Sequence, residues 1–191
     1  MKALRPKLVV GIGGSAGGLN AYKAFLDAMP AHSGMAFVVV SHMLPFANSQ
    51  LADILSRHTK MPVSVVRTAM PVLPNHVYVC PPNADLLVDG QNFKIVAPRT
   101  KRNAAVDLLF VSLAEAVGSR AVGIVLSGYD GDGTEGCRQI KANGGITFAQ
   151  DTSAEVGGMP LSAQAAGCVD FVLPPQQIAH QLLEIGRRLA A

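Results

Sequence analysis

The sequence predicts an α/β fold: a doubly wound, mainly parallel sheet with an antiparallel hairpin portion and helices on both faces. Three observations predict it. Short β-branched runs alternate with stretches whose apolar residues recur at helical spacing, the pattern of a parallel sheet covered on both sides. Polar and glycine-rich segments follow several of these runs, where strands would hand over to helices. And of 191 residues 49% are apolar and 15% charged, enough for one full core and too short a chain to expect two. The expected organisation is a single domain over residues 1–191, with no internal repeat and no linker long enough to divide it.

The first strand is residues 8–12, Leu-Val-Val-Gly-Ile. After the glycines, Leu19, Tyr22, Phe25, Leu26 and Met29 share a helical face, and Pro30 closes that helix. A second strand, 36–40, runs on into Ser41 and His42, and a helix fits 48–57 with Leu51, Ile54 and Leu55 inward. Residues 62–66 and 77–80 read as two further strands. Two more, 86–88 and 93–96, flank Asp89-Gly90-Gln91-Asn92, a hairpin turn that makes part of the sheet antiparallel. Residues 106–117 form a helix with Leu109, Leu113 and Val117 on one face, and 122–126 a buried strand. A helix over 134–142 ends at Asn143-Gly144-Gly145; strands at 146–149 and 169–172 follow, then a last helix carrying Ile178, Leu182, Ile185 and Leu189.

Composition removes several function classes. The net charge is +3, and the densest basic cluster, Arg99, Lys101 and Arg102, has no interleaved aromatics to stack bases, so no nucleic acid is expected. That cluster reads first as a solvated loop and second as a dock for an acidic partner. No apolar run approaches the ~18 residues that span a bilayer, so no membrane insertion is expected. The basic start, Met1 to Lys7, precedes an apolar run too short for a secretory leader, which points to the cytoplasm. Cys80, Cys137 and Cys168 are far apart without metal-ligand spacing and read as buried reduced thiols.

In such sheets chemistry collects at the carboxyl ends of strands. Three of those junctions carry polar residues that packing does not need: Ser15, His42 and an aspartate of Asp130-Gly131-Asp132-Gly133. Gly13-Gly14-Ser15-Ala16-Gly17 fits G-x-S-x-G, in which glycines let a sharp turn raise a serine hydroxyl above the sheet. The Ala16 N–H would then help hold an oxyanion. The same stretch fits G-x-G-x-x-A, but a dinucleotide site needs an acidic residue near the end of the second strand, where Ser41-His42 stands instead. His42 is well placed to take the serine's proton. A calcium loop from Asp130 fails, because its twelfth position is Lys141. Either aspartate could cap a helix or orient His42, and the residues alone do not choose between them.

Together the segments Val9 to Gly18, Val39-Val40-Ser41-His42-Met43 and Leu126 to Gly133 resemble the three signature segments of the CheB-type protein-glutamate methylesterase domain. Val77-Tyr78-Val79-Cys80-Pro81-Pro82, Val106-Asp107-Leu108-Leu109-Phe110, Ala149-Gln150-Asp151 and Gly158-Met159-Pro160 extend the likeness over about 8–174. The resemblance implies a Ser-His-Asp triad of Ser15, His42 and Asp132, an oxyanion held by backbone N–H groups near Ala16 and Tyr129, and no cofactor or metal. It implies hydrolysis of glutamate methyl esters, with glutamine deamidation in some members. The implied partner is a methylated chemoreceptor or related signalling protein, with a separate methyltransferase or response regulator as further candidates. Members commonly carry an amino-terminal receiver domain, so a free-standing domain is expected here. They usually have methionine or a small residue at Tyr129, glycine at Asp130, and Arg-Pro-Ser or similar in place of Asn103-Ala104-Ala105. A catalytically idle binding module of the same fold and a nucleotide-binding Rossmann-like protein are the alternatives.

Overall fold

The central β-branched runs become strands buried on both faces. The computed structural model describes residues 4–42 and 50–189. Strands β1 (Val9–Gly14), β2 (Ala36–Ser41) and β7 (Ala121–Val125) have every residue buried, which is why they show no polar alternation. With β3 (Val63–Val65), β4 (His76–Val79), β8 (Ile146–Gln150) and β9 (Phe171–Leu173) they form one seven-stranded sheet, ordered β3-β4-β2-β1-β7-β8-β9, with every pairing parallel. The antiparallel portion, β5 (Asp85–Asp89) and β6 (Asn92–Val96), stands apart as a two-stranded sheet of its own. Its strands meet a helix instead of a sheet edge, since the Val88 N–H donates to Ser112 Oγ at 3.0 Å.

Helices cover both faces, and the sheet divides two cores. On one side α1 (Gly18–Asp27), α2 (Leu51–Leu55) and α6 (Pro175–Arg188) bury Tyr22, Phe25, Leu51, Leu55, Ile178 and Leu182. On the other, α3 (Ala105–Val117), α4 (Thr134–Ala142), α5 (Gly158–Ala165) and the hairpin bury Leu109, Phe110, Ile140, Met159, Leu86 and Phe93. Cys80, Cys137 and Cys168 are free and buried, as expected. The predicted helix at 48–57 appears as α2; its residues 48 and 49, with Met43 and Met1 to Ala3, lie outside the described residues. Among the described residues no helix is long and apolar enough to cross a membrane.

One α-helix was not anticipated. The stretch around Gly157-Gly158-Met159-Pro160 forms α5, whose N-terminal turn accommodates proline because the N–H groups there need no helical partner.

The order of strands fixes where a site can form. The chain leaves β1 for β2 on one side and returns as β7 on the other, so the carboxyl ends of β2, β1 and β7 lie side by side. Helices diverge from such a switch point and leave a crevice. Close approach of α3 to β1 there depends on small residues: a Cβ at Gly13 would collide with the Val106 side chain.

Candidate active site

The crevice is built by backbone before any side chain is considered. Gly14 ends β1, and the next residue, Ser15, donates its N–H to Ser127 O at 2.8 Å and accepts from the Gly18 N–H at 2.9 Å. Gly17, at φ 74°, turns the chain into α1. This positive φ is what L side chains avoid and glycine adopts freely. The Ser15 side chain therefore stands between the ends of β2 and β7, above the first turn of a helix. Space for it depends on Gly128, where an added Cβ would lie 2.9 Å from Ser15 Cβ.

His42 follows β2 and is tied to β1 by its own N–H, which donates to Gly14 O at 3.2 Å. Its side chain is 6% exposed and makes a 2.5 Å hydrogen bond from Nε2 to Asp132 Oδ2. On the other ring nitrogen, Nδ1 lies 3.6 Å from Asp130 Oδ2. The side chains of Ser15 and His42 share no hydrogen bond in this structure. The structure thus joins His42 to Asp132 directly, and Ser15 to His42 through the backbone of Gly14.

Asp132 lies in the loop between β7 and α4, its side chain wholly buried. Besides His42 it accepts the N–H groups of Val106 at 3.0 Å and Asp107 at 2.8 Å, the second and third residues of α3. These are the amides an N-cap side chain usually satisfies, so Asp132 caps a helix distant in sequence. Burial works to raise its pKa, but the His42 hydrogen bond and the two backbone donors outweigh it, and the carboxyl is held below its ordinary value. Asp107 returns the favour: its Oδ1 accepts the N–H groups of Gly133 at 2.9 Å and Gly136 at 2.8 Å, at the start of α4. Its pKa is raised, chiefly by burial and against the Gly136 hydrogen bond, with the negative charge of Asp132 adding to the rise. The two helices exchange caps, and that exchange fixes Asp132.

Sequence reasoning gave Asp107, Ser127 and Gln150 no role, yet they hold the site together. Ser127 is buried, and its Oγ donates to Ala16 O at 2.7 Å and accepts from the Val156 N–H at 2.9 Å. Its N–H donates to Gln150 Oε1 at 2.9 Å. The signal was available: Ser127 and Gln150 are polar residues at the ends of buried, mostly apolar strands, where a buried polar group must find partners. Neither the Ala16 nor the Tyr129 N–H donates to any described residue. Tyr129 itself is 66% exposed, at the rim of the crevice.

This arrangement offers a hydroxyl without a hydrogen-bond partner among the described residues, an imidazole braced by a buried carboxylate, and two N–H groups, of Ala16 and Tyr129, that no described residue accepts. Comparison with known proteins agrees in fold and family. A protein of Leptospira interrogans is 32% identical over 178 residues, 91% of this chain and 92% of that one. A Geobacter metallireducens protein named protein-glutamate methylesterase/protein-glutamine glutaminase 1 is 37% identical over 183 residues, 92% of this chain but 50% of that relative. The crystal structure of the Thermotoga maritima CheB methylesterase catalytic domain superposes with a TM-score of 0.85 at 28% identity, covering 93% of this chain and 98% of that one. The family model described as CheB methylesterase matches residues 10–182. A match over so much of the chain, with relatives of this similarity, shows that the protein belongs to the CheB methylesterase family.

Proposed function

We propose that the protein is a carboxylic ester hydrolase that removes methyl groups from esterified glutamate side chains of a chemoreceptor or related signalling protein in the cytoplasm. Ser15 is the nucleophile, His42 the general base and Asp132 the group that orients and charges the imidazole. The observation that carries this reading is the hydrogen bond from His42 Nε2 to buried Asp132, at a strand end next to that of Ser15.

The chemistry follows from which atoms remain available. With Nε2 committed to Asp132, Nδ1 is the nitrogen that takes the Ser15 proton as Oγ attacks the ester carbonyl. Negative charge then grows on the carbonyl oxygen, where the N–H groups of Ala16 and Tyr129 stabilise it. His42 returns its proton to the methoxy oxygen, methanol leaves, and a glutamyl ester of Ser15 remains. Water, activated by the same imidazole, cleaves that ester and restores the hydroxyl. Glutamine deamidation follows the same course with ammonia leaving.

The test is methanol release from a peptide carrying a glutamate γ-methyl ester. Ser15→Ala should reduce kcat by about 10⁴-fold or more, with the fold intact by circular dichroism. Wild-type protein should also be labelled by a serine-directed phosphonate, and the variant should not. Activity retained in Ser15→Ala would remove Ser15 as the nucleophile. An unlabelled but folded wild type would favour a binding module of the same fold.

A further inference from the structure

We propose that Asp130 is a positioning residue that competes with Ser15 for the Nδ1 side of His42, and so sets the pH range over which the serine can be activated. The inference rests on the reading of Ser15 as nucleophile and His42 as base. It concerns a carboxylate that this mechanism does not use.

An imidazole bound through Nε2 has one nitrogen left for the serine's proton. Among the described residues Asp130 approaches that nitrogen, its Oδ2 lying 3.6 Å from Nδ1. Asp130 is not free to turn away. Its other oxygen accepts the Asp132 N–H at 2.9 Å, closing a turn onto the residue two positions on, and its backbone sits at φ 61°. Meanwhile the Ser15 hydroxyl makes no hydrogen bond to any described residue, although its backbone is fixed at both N–H and carbonyl. At rest, then, a tethered carboxylate lies near Nδ1, and the hydroxyl that must reach that nitrogen makes no hydrogen bond to it.

Charge adds a sign to this competition. The β7–α4 loop presents two carboxylates to the ring, Asp130 and Asp132. From α3, Asp107 lies behind Asp132 and is committed to Gly133 and Gly136. On the α1 side Tyr22 is a buried phenol whose pKa burial pushes up, and Glu155, beside Gly17, is bonded to Asn20. Beyond β4, Cys80 is a thiol pushed up to about 12 by burial, while Asp85 and Arg99 approach each other at 3.9 Å. Residues 43–49, Met-Leu-Pro-Phe-Ala-Asn-Ser, contain no Asp, Glu, His, Lys or Arg. Among the described residues no cation other than His42 pairs with Asp130. A negative charge on the Nδ1 side favours the ring that already carries both protons, and that ring cannot accept another from Ser15. Rate is therefore lost on the acid side, and removing the Asp130 charge should carry activity to lower pH.

Two variants separate charge from backbone. Asp130→Asn keeps an acceptor for the Asp132 N–H and tolerates a positive φ; Asp130→Gly suits the φ and removes the side chain. Initial rates of Ser15 labelling by a fluorophosphonate, and kcat/KM for a glutamate γ-methyl ester peptide, would be measured from about pH 5 to 9. In both variants the acid limb should move down by about one pH unit, so that on the acid side the variant gains about tenfold relative to wild type. A limb that coincides in all three proteins overturns the proposal. So does a limb that moves in Asp130→Gly alone, because that would assign the effect to backbone conformation. Failure of the hydrolase reading is distinguishable: it would appear as activity retained in Ser15→Ala, whatever the limb does.

Discussion

Asp132 is a charged side chain with no exposure to solvent, which is unfavourable unless every lone pair is used. It accepts one ring nitrogen and two backbone N–H groups, and these hold its pKa below the usual value despite burial. A carboxyl with a depressed folded-state pKa contributes stability that is complete above its unfolded value of about 3.9 and is lost as pH falls through the folded one. Asp132→Asn keeps the shape but replaces one acceptor with a donor aimed at donors. It should cost about 1–3 kcal/mol near neutrality, with the gap to wild type narrowing as pH falls below about 4. Urea denaturation at the two pH values measures both quantities. A gap that stays constant on acidification would mean that the charge is not what the loop needs. The residue choice itself was only half legible in the sequence. Asp130 and Asp132 share one turn, and two residues of spacing do not reveal which carboxylate is buried. The resemblance singled out Asp132, while the positive φ of Asp130 and the 3.6 Å approach of its carboxylate to the ring are invisible until the backbone is seen.

At the scale of elements, the exchange of caps between α3 and α4 is what pins the loop that carries Asp132. The run Asp130-Gly131-Asp132-Gly133-Thr134 invites a local interpretation, an aspartate capping the helix that follows it. The structure crosses the connections: Asp132 serves α3, and Asp107, from the first turn of α3, serves α4. Periodicity revealed both helices because it depends on neighbours along the chain, but a cap supplied from another element leaves no periodic trace. The hairpin shows the same limit, since its two strands and turn were readable and its separation from the main sheet was not. Asp107→Ala should leave the N–H groups of Gly133 and Gly136 without acceptors and cost about 1–3 kcal/mol. Because the loop that carries Asp132 is pinned by the same bonds, kcat should fall as well, by more than KM changes. Asp107→Asn keeps an oxygen for both donors and relieves the buried charge, so it should lose much less of either. Equal losses in the two variants would show that the carboxylate's charge, not its acceptor, positions the loop.

Across the whole molecule, stability and chemistry come from different places. The cores lie above and below the sheet, while Ser15, His42 and Asp132 project from its carboxyl edge at the switch between β2, β1 and β7. Their positions are set by backbone bonds among adjacent strand ends: Ser15 to Ser127, His42 to Gly14, and Asp132 to α3. None of these bonds involves α6, which closes the first core from the far side of α1. Leu182 on α6 is fully buried there. Leu182→Ala removes three carbons from a packed interior and should cost about 2–5 kcal/mol, depending on how far the cavity collapses. Yet at temperatures well below the lowered Tm the folded variant should be labelled by the phosphonate at the wild-type rate. Calorimetry gives the first quantity and labelling kinetics the second. If labelling slows in step with the loss of stability, the edge is not mechanically independent of the core, and α1 is the path by which α6 reaches Ser15. If it does not, the site is held by the strand ends themselves, as the hydrogen bonds at the edge require.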